Sequence, residues 1–530
     1  MIEYRIPNNE YRISNIELFP LFDVLYSSFN FKGQLALETV YSSIPFFVIF
    51  VPLCAVALIL IFSNRPNLRE SWTILASLTK FGLIVSMLPT ILDGKVIECA
   101  IVTVLPGLDI KFKIDALGIF FALTASFLWI LTSFYSIGYV RTLNEHAQTR
   151  YFICFAVAIS ATMGVAFSAN MFTTYLFYEM ITFSTYALVA HKETPEARSG
   201  AKVYFVFLFG TSVAFLLSAI FLTYYATGTL DFSNQGIFND ARGKGLSDIF
   251  LIVVFGLFIA GTSKAAMMPF HAWLPRAMVA PTPVSAFLHA VAVVKSGIFV
   301  VVKIVLHLFG INLLNELRLG IVLAYCASFT MIVSSLIALR QDNLKARLAY
   351  STVAQLSYVI FGVALLTPSG ITGSIMHIVI HAFGKITLFF CAGAIYAVTH
   401  KTKISELDGI GRKMPFTMIA FSLASLSIIG IPPLGGFISK WYLAMGVIEA
   451  GEIPIIAVLI ISSILNACYF IPIVYKAFFK ELPPGETAER NEAPAIMVVP
   501  LALTATGTLL LFFVPSLFLD LAKMVVANLN

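Results

Sequence analysis

Charge is scarce in this chain. Only 12% of its 530 residues are Asp, Glu, Lys or Arg, and the formal net charge at pH 7 is +6. The basic residues form no cluster, which argues against a nucleic-acid-binding face. Cysteine is scarce as well. Cys54, Cys99, Cys154, Cys326, Cys391 and Cys468 are scattered without a CxxC pair, which argues against iron–sulfur clusters and structural zinc. A Gly-rich dinucleotide loop is missing, because Gly409-Ile410-Gly411 sits between basic residues without the strand that should precede it. No cofactor is expected. The first forty residues carry Glu3, Asn8, Asn9, Glu10 and Asp23 rather than a basic stretch followed by a short apolar run, so no signal peptide is read there. Neither a soluble domain nor a low-complexity linker is visible.

Apolar surface is what the chain has instead. Hydrophobic residues make up 59% of it, with 48 phenylalanines. A soluble protein of this length cannot hide that much, so the expected solvent is lipid. Length and apolarity predict an all-α polytopic membrane protein of about 14 spanning helices. The expected spans are 41–62, 73–93, 115–137, 150–168, 171–190, 203–226, 248–268, 281–308, 319–338, 348–366, 371–399, 414–446, 455–479 and 494–521. Residues 1–40 read as a polar lead in which Leu18 to Phe31 is an interfacial helix or cap. Residues 41–530 read as one transmembrane domain.

The loops holding Arg65, Arg69, Lys192, Arg198, Arg340, Lys345, Arg347, Lys401, Lys403, Arg412, Lys413, Lys476, Lys480 and Arg490 carry the larger share of basic residues. That assigns them to the cytoplasm and, with an even span count, puts both termini outside it. Two spans are expected to break. The seventh contains Pro269 and Pro275, and the twelfth has Pro432, Pro433, Gly435 and Gly436 at its middle. Irregular backbone at membrane depth is tolerated where it is buried or lines a cavity. Paired interrupted helices in corresponding positions mark inverted repeats. The two lie five spans apart, an odd offset, so the two units have opposite orientation.

Ionisable residues inside these spans are costly and mark ion paths. His377, His381 and Lys385 recur every four residues, one stripe of a helix with about 6 Å between neighbours. Glu179 is a lone acid well inside the fifth span, and Lys264 precedes the break in the seventh. Burial disfavours a charged lysine and a nearby carboxylate favours it, so the two together can hold, release and regain a proton. His289 and Lys295 lie in the eighth span with Lys303, for which snorkelling competes with function. Lys440 follows the break in the twelfth, where it is placed either to exchange protons with water or to cap free carbonyls. Asp342, Lys345 and Arg347 read as solvated loop charges, and Lys80 stands isolated in the second span. The HxxxH face of His377 and His381 has no Glu, Asp or Cys on its stripe to complete a metal site, so no metal is expected there. Lys264, His289, Lys295, His381, Lys385 and Lys440 are expected to form a polar axis near the membrane midplane.

Four stretches carry a resemblance to a known family: KAAMMPFHAWLPRAMVAPTPVSAFLHAVAVVKSGIF (264–299), DNLKARLAYSTVAQLSYVIFG (342–362), HIVIHAFGKITLFFCAGAI (377–395) and GIPPLGGFISKWYLA (430–444). They resemble the antiporter-like subunits of respiratory complex I, a family that includes Mrp-type sodium/proton antiporter and membrane-bound hydrogenase subunits. The resemblance covers roughly residues 110–480. It implies fourteen core helices with two inverted five-helix repeats, spans four to eight and nine to thirteen, about 150–308 and 319–479 here. It also implies roles. Glu179 matches the family's glutamate of the fifth helix and Lys264 the lysine of the broken seventh. His289 and Lys295 match the histidine and central lysine of the eighth, Lys385 the lysine of the eleventh, and Lys440 the terminal lysine of the broken twelfth. One class of relatives has glutamate at that last position, so lysine argues against it. The chain ends soon after span fourteen, without the long lateral helix of the largest complex I member, which favours a middle-sized subunit. Its polar lead is longer than the family pattern, and the GGFISKWYLA wording leans toward the Mrp D-type branch.

Together these readings predict a non-redox, proton-translocating subunit of a larger inner-membrane complex. Its expected partners are other membrane subunits, including further antiporter-like ones, together with lipid, protons and possible sodium. Any redox chemistry, of the NADH–quinone or hydrogenase kind, belongs to the parent complex. The alternative is a stand-alone metal or cation permease that uses the HxxxH face.

Overall fold

A computed structural model describes residues 38–105, 108–243, 245–484 and 489–529. The expectation for the polar lead therefore falls, up to residue 37, outside the described residues.

The all-α expectation needs correction at one place. Residues 94–114, read as a loop, contain two strands. Strand β1 (Thr39–Tyr41) pairs in parallel with β2 (Val96–Leu105), and β2 pairs antiparallel with β3 (Leu108–Ile114). On β3 the apolar Leu108, Ile110, Phe112 and Ile114 alternate with Asp109, Lys111 and Lys113, and Phe112 and Ile114 are buried, which suits a partly buried strand.

Helices α1 (Ile44–Ile61) and α2 (Pro66–Leu92) lie between β1 and β2 in sequence. Then follow α3 (Ala116–Thr142), α4 (Gln148–Phe167), α5 (Met171–Val189), α6 (Pro195–Thr227), α7 (Asp248–Gly261) and α8 (Thr282–Phe309). The second half holds α9 (Leu319–Leu339), α10 (Leu344–Ala364), α11 (Pro368–Thr399), α12 (Pro415–Ile429), α13 (Gly436–Glu449), α14 (Ile456–Phe479), α15 (Ala495–Phe513) and α16 (Ser516–Ala527). Many starts are written in local chemistry. Asp115, Asn170, Thr194, Asn343 and Thr367 each accept a backbone N–H of the first turn, and Pro195 and Pro368 occupy first helical positions. Among the described residues, ten helices are long and apolar enough to cross a membrane, and α7 and α12 are apolar but shorter.

The seventh and twelfth spans are interrupted. Helix α7 stops at Gly261, and after the single turn Ser263–Ala265 regular helix resumes only at Trp273. The break thus starts before Pro269, near which the sequence placed it. Helix α12 stops at Gly430, which has φ +92°, and α13 starts at Gly436. Both breaks contain a cis peptide, Met268–Pro269 and Pro432–Pro433.

Three irregularities were not expected. The eighth span loses regularity at Val291–Ala292, between His289 and Lys295, and ends in the π-helical turn Ile304–Phe309. Helix α6 contains another π-helical turn, Ser212–Leu217. The last expected span divides at Pro515 into α15 and α16, because proline cannot continue the hydrogen-bonded ladder.

Helix α11 is the hub. It packs against α3, α8, α10, α12, α13, α15 and α16. Its 32 residues are long enough to run about 48 Å, and the apolar stretch is wholly buried inside the protein. A helix apolar on every side belongs in such a position. It also means that any polar side chain on α11 must find its partners within the protein.

Candidate functional site

Helix α5 and the broken seventh span bring Glu179 and Lys264 together. Lys264 Nζ lies 4.0 Å from Glu179 Oε1. The ammonium donates to the carbonyl of Tyr178 at 2.7 Å and sits 3.2 Å from the centroid of the Tyr178 ring, a cation–π position. Lys264 is fully buried and Glu179 nearly so. Ser212, the first residue of the π-helical turn in α6, donates its hydroxyl to Glu179 Oε1 at 2.5 Å. Oε2 is buried without a hydrogen-bond partner among the described residues. The same carboxylate oxygen thus faces both the Ser212 hydroxyl and the Lys264 ammonium.

The centre of the molecule holds a second pair. Lys295 Nζ and His381 Nδ1 are 2.7 Å apart, and both residues are buried. A charged Lys295 donates this bond to a neutral His381; a protonated His381 donates it to a neutral Lys295. The proton can change owner along one bond without displacing either heavy atom.

One turn earlier on α11, the His377 ring is stacked 6.0 Å from that of His381. Its Nε2 is 3.1 Å from Gln355 Oε1 on α10, and its Nδ1 is 2.9 Å from Ser439 Oγ on α13. Ser439 also lies 3.2 Å from the Gly436 carbonyl. Neutral His377 accepts from the serine hydroxyl. Protonated His377 donates to it, and the hydroxyl turns to Gly436. Both charge states are satisfied by rotating one O–H bond. With both nitrogens of His377 occupied, the HxxxH face is not a preformed metal site.

Lys385, one turn beyond His381, donates to Ser351 Oγ at 2.7 Å and to the Leu348 carbonyl at 3.2 Å. Ser351 is hydrogen-bonded to the Tyr469 hydroxyl at 2.9 Å, and Tyr469 also reaches Asn466. Lys440 donates to the Ile429 carbonyl at 2.8 Å and to Ser463 at 3.0 Å, beneath the Tyr358 ring at 4.9 Å. It caps the end of α12 in the manner expected of a lysine beside a broken helix. Tyr358 in turn stacks on His377, with ring centroids 5.3 Å apart.

The expected residues are not all in mutual contact. His289 is buried against Phe389, and neither ring nitrogen has a hydrogen-bond partner among the described residues. Lys264 and Lys295 make no direct bond, yet Gly297, two residues after Lys295, lies close to the Lys264–Ala265 backbone. A Cβ at Gly297 would stand 2.3 Å from Ala265 N and 2.4 Å from the Lys264 carbonyl carbon. Only glycine lets α8 approach the break so nearly.

Several participants carried no sequence signal. Ser212, Gln355, Ser439, Ser351 and Tyr469 are ordinary polar residues of apolar helices and are singled out only by where the helices meet. Lys303 does not snorkel: it donates to Asp115 Oδ2 at 2.6 Å, while Oδ1 of the same carboxylate caps α3. Lys80 is fully buried over the Trp129 ring at 4.3 Å. Lys345 and Arg347 are not simply solvated. Lys345 Nζ donates to the Ala280 carbonyl at 2.6 Å, and Arg347 donates to the carbonyls of Gln341 and Tyr469 at 2.9 and 3.0 Å. A cavity of about 220 Å3 lies at this face, lined by Tyr139, Lys192, Thr282, Lys345, Tyr396 and Lys401 among others.

Comparison with known proteins gives a consistent picture. The profile of the family described as NADH:quinone oxidoreductase/Mrp antiporter, TM, matches residues 168–466. NADH-quinone oxidoreductase subunit N of Desulforudis audaxviator is 32% identical over 425 residues, covering 77% of this chain and 82% of that protein. Subunit L of Mycobacterium tuberculosis is 30% identical, covering 86% and 73%. The putative antiporter subunit mnhA2 of Staphylococcus haemolyticus is 28% identical over 84% of this chain, which spans 58% of that longer protein. Two solved structures share the fold with a TM-score of 0.82. They are the Mrp complex from Dietzia sp. (22% identity, 92% of this chain and 97% of that one) and an archaeal membrane-bound sulfane sulfur reductase (23%, 92% and 98%).

Proposed function

The chain belongs to the NADH:quinone oxidoreductase/Mrp antiporter membrane family, and from that premise we propose that it carries protons through Glu179, Lys264, His289, Lys295, His377, His381, Lys385 and Lys440. It is an antiporter-like, multi-pass membrane subunit that works among other membrane subunits. A stand-alone permease is not favoured.

The observation that carries the reading is the 2.7 Å contact of Lys295 with His381. Two bases whose shared hydrogen bond works in either direction, both buried, constitute a relay rather than a fixed ion pair. Protons enter from the basic-loop face, where Lys345 and the adjoining cavity supply polar groups, and reach His289 and the Lys295–His381 pair. They continue to His377, or to Lys385 with Ser351 and Tyr469, and leave near Lys440, whose side chain is partly exposed. Glu179 acts on this path through Lys264. When the carboxylate closes on Lys264, the lysine holds its proton; when Ser212 keeps the carboxylate, the lysine can give it up.

The finer architecture follows the same reading. Fourteen spans with inverted repeats at about 150–308 and 319–479 place the two broken helices in equivalent positions, and both termini lie outside the cytoplasm. The coupling partner sets the driving force. An Mrp-type complex pairs proton entry with sodium exit, and a complex I-type or hydrogenase-type complex pairs transport with electron transfer. The D-type Mrp branch is supported by the wording of residues 435–444 alone. The test is proton uptake by vesicles holding the assembled complex: Lys295→Ala should abolish it with assembly intact. Unchanged uptake would make the subunit structural.

A further inference from the structure

Away from the buried path, two short connections meet at the face that carries Lys192 and Arg198. One joins α3 to α4 and the other joins α5 to α6. Glu145 and His146 lie on the first and His191 on the second. Their ligand atoms all fall within 4.8 Å of one another. Glu145 and His146 are adjacent and His191 follows 45 residues later, so no spacing motif announces them.

His191 is the decisive member. It is 1% exposed, and neither of its ring nitrogens has a hydrogen-bond partner among the described residues. A buried imidazole normally finds one. Its Nε2 instead faces Glu145 Oε2 at 4.0 Å. His146 lies over the ring with centroids 4.8 Å apart, and Tyr151 closes another side edge-on at 5.5 Å. A neutral imidazole held in this way has a ring lone pair that no side chain of the described residues uses. The neighbouring charges are compatible with a cation. Arg150 is turned away onto Glu193 Oε1 at 2.6 Å and onto the His191 carbonyl at 3.2 Å. Glu193 Oε1 also lies 4.0 Å from His146 Nε2. Lys345 is a more distant cation that Glu145 offsets.

We propose that Glu145, His146 and His191 bind a divalent transition-metal ion of the zinc type, stapling the α3–α4 connection to the α5–α6 connection. Two imidazoles and one carboxylate form a borderline nitrogen and oxygen donor set that suits zinc rather than magnesium or calcium. Bond lengths near 2.0–2.1 Å put tetrahedral ligand atoms about 3.3 Å apart, so the site must contract on binding. His191 is fixed by burial. His146 has a half-exposed side chain on a surface connection, and it moves by leaving the stack. A water molecule or Glu193 takes the fourth position. The staple ties the connection after the helix bearing Glu179, which ends just before His191, to the connection between α3 and α4. The proposal is independent of the proton path.

The test uses the purified complex stripped with EDTA and titrated with Zn2+ alone, following heat and bound metal per complex. Wild type should hold one more zinc equivalent than His191→Gln and than the double variant Glu145→Gln/His146→Ala. The double variant alters only connection residues, so it keeps the test decisive if His191→Gln assembles poorly. Equal zinc content and affinity in wild type and the double variant would overturn the proposal. A difference that appears only at millimolar zinc would overturn it as well.

Discussion

Lys295 and His381 share one hydrogen bond of 2.7 Å between α8 and α11. Either residue can be its donor, depending on which holds the proton. This symmetry distinguishes the contact from the Lys303–Asp115 pair, where a carboxylate can only accept unless it is neutralised. Replacing His381 by Asn keeps an acceptor for Lys295 but removes the ring nitrogen that can take over the proton. Proton uptake should fall on the order of a hundredfold while the complex assembles normally. Quench-based uptake in vesicles would check it.

Glu179 and Lys264 should act as a unit. Glu179→Gln leaves Lys264 without its counter-charge, and Lys264→Met leaves the acid buried alone. If the 4.0 Å contact matters, the double variant should transport no worse than either single variant, the non-additivity expected of coupled residues. Independent, multiplying losses in the three variants would separate the two residues.

Gly297 tests the geometry of the break. A methyl there would collide with the Ala265 backbone at 2.3 Å, where no flexible side chain can yield. Gly297→Ala should cost about 1–3 kcal/mol by overpacking, seen as a lower melting temperature and a lower yield of complex. Gly256, whose Cβ would meet open space, is the control and should tolerate alanine with little change.

His191 gives a pH signature. Its folded-state value of about 4 lies below that of the unfolded chain. The unfolded state therefore takes up the proton first, and the stabilising contribution, present above about 6.5, is lost as pH falls toward 4. In EDTA, the melting temperature of the wild-type complex should drop more between pH 7 and pH 5 than that of His191→Gln. Parallel curves would contradict this.

What could be read in the sequence divides along physical lines. Helix positions were legible because lipid demands long apolar runs, and the breaks at the seventh and twelfth spans because proline and glycine announce them. Lys264, Lys295, His381 and Lys385 stood out because charge is costly in apolar surroundings. The irregularity at Val291–Ala292 and the two π-helical turns carry no proline or glycine that would announce them. The serines, Gln355 and Tyr469 that complete the network are polar groups of unremarkable type. Their roles exist only once α10, α11, α13 and α14 are assembled. The hairpin of β2 and β3 is hard to read because only the seven residues of β3 alternate, a short signal inside a 94–114 connection between long apolar helices.

The most direct test of the central claim replaces Lys295 by arginine. Arginine keeps a positive charge at this depth but does not release its proton in a protein. Proton transport would be measured in vesicles containing the assembled complex, with assembly verified by subunit content. Loss of transport in Lys295→Arg, matching that of Lys295→Ala, is the predicted result. Transport at the wild-type rate in Lys295→Arg would show that a fixed charge suffices and that protons do not pass through the Lys295–His381 bond.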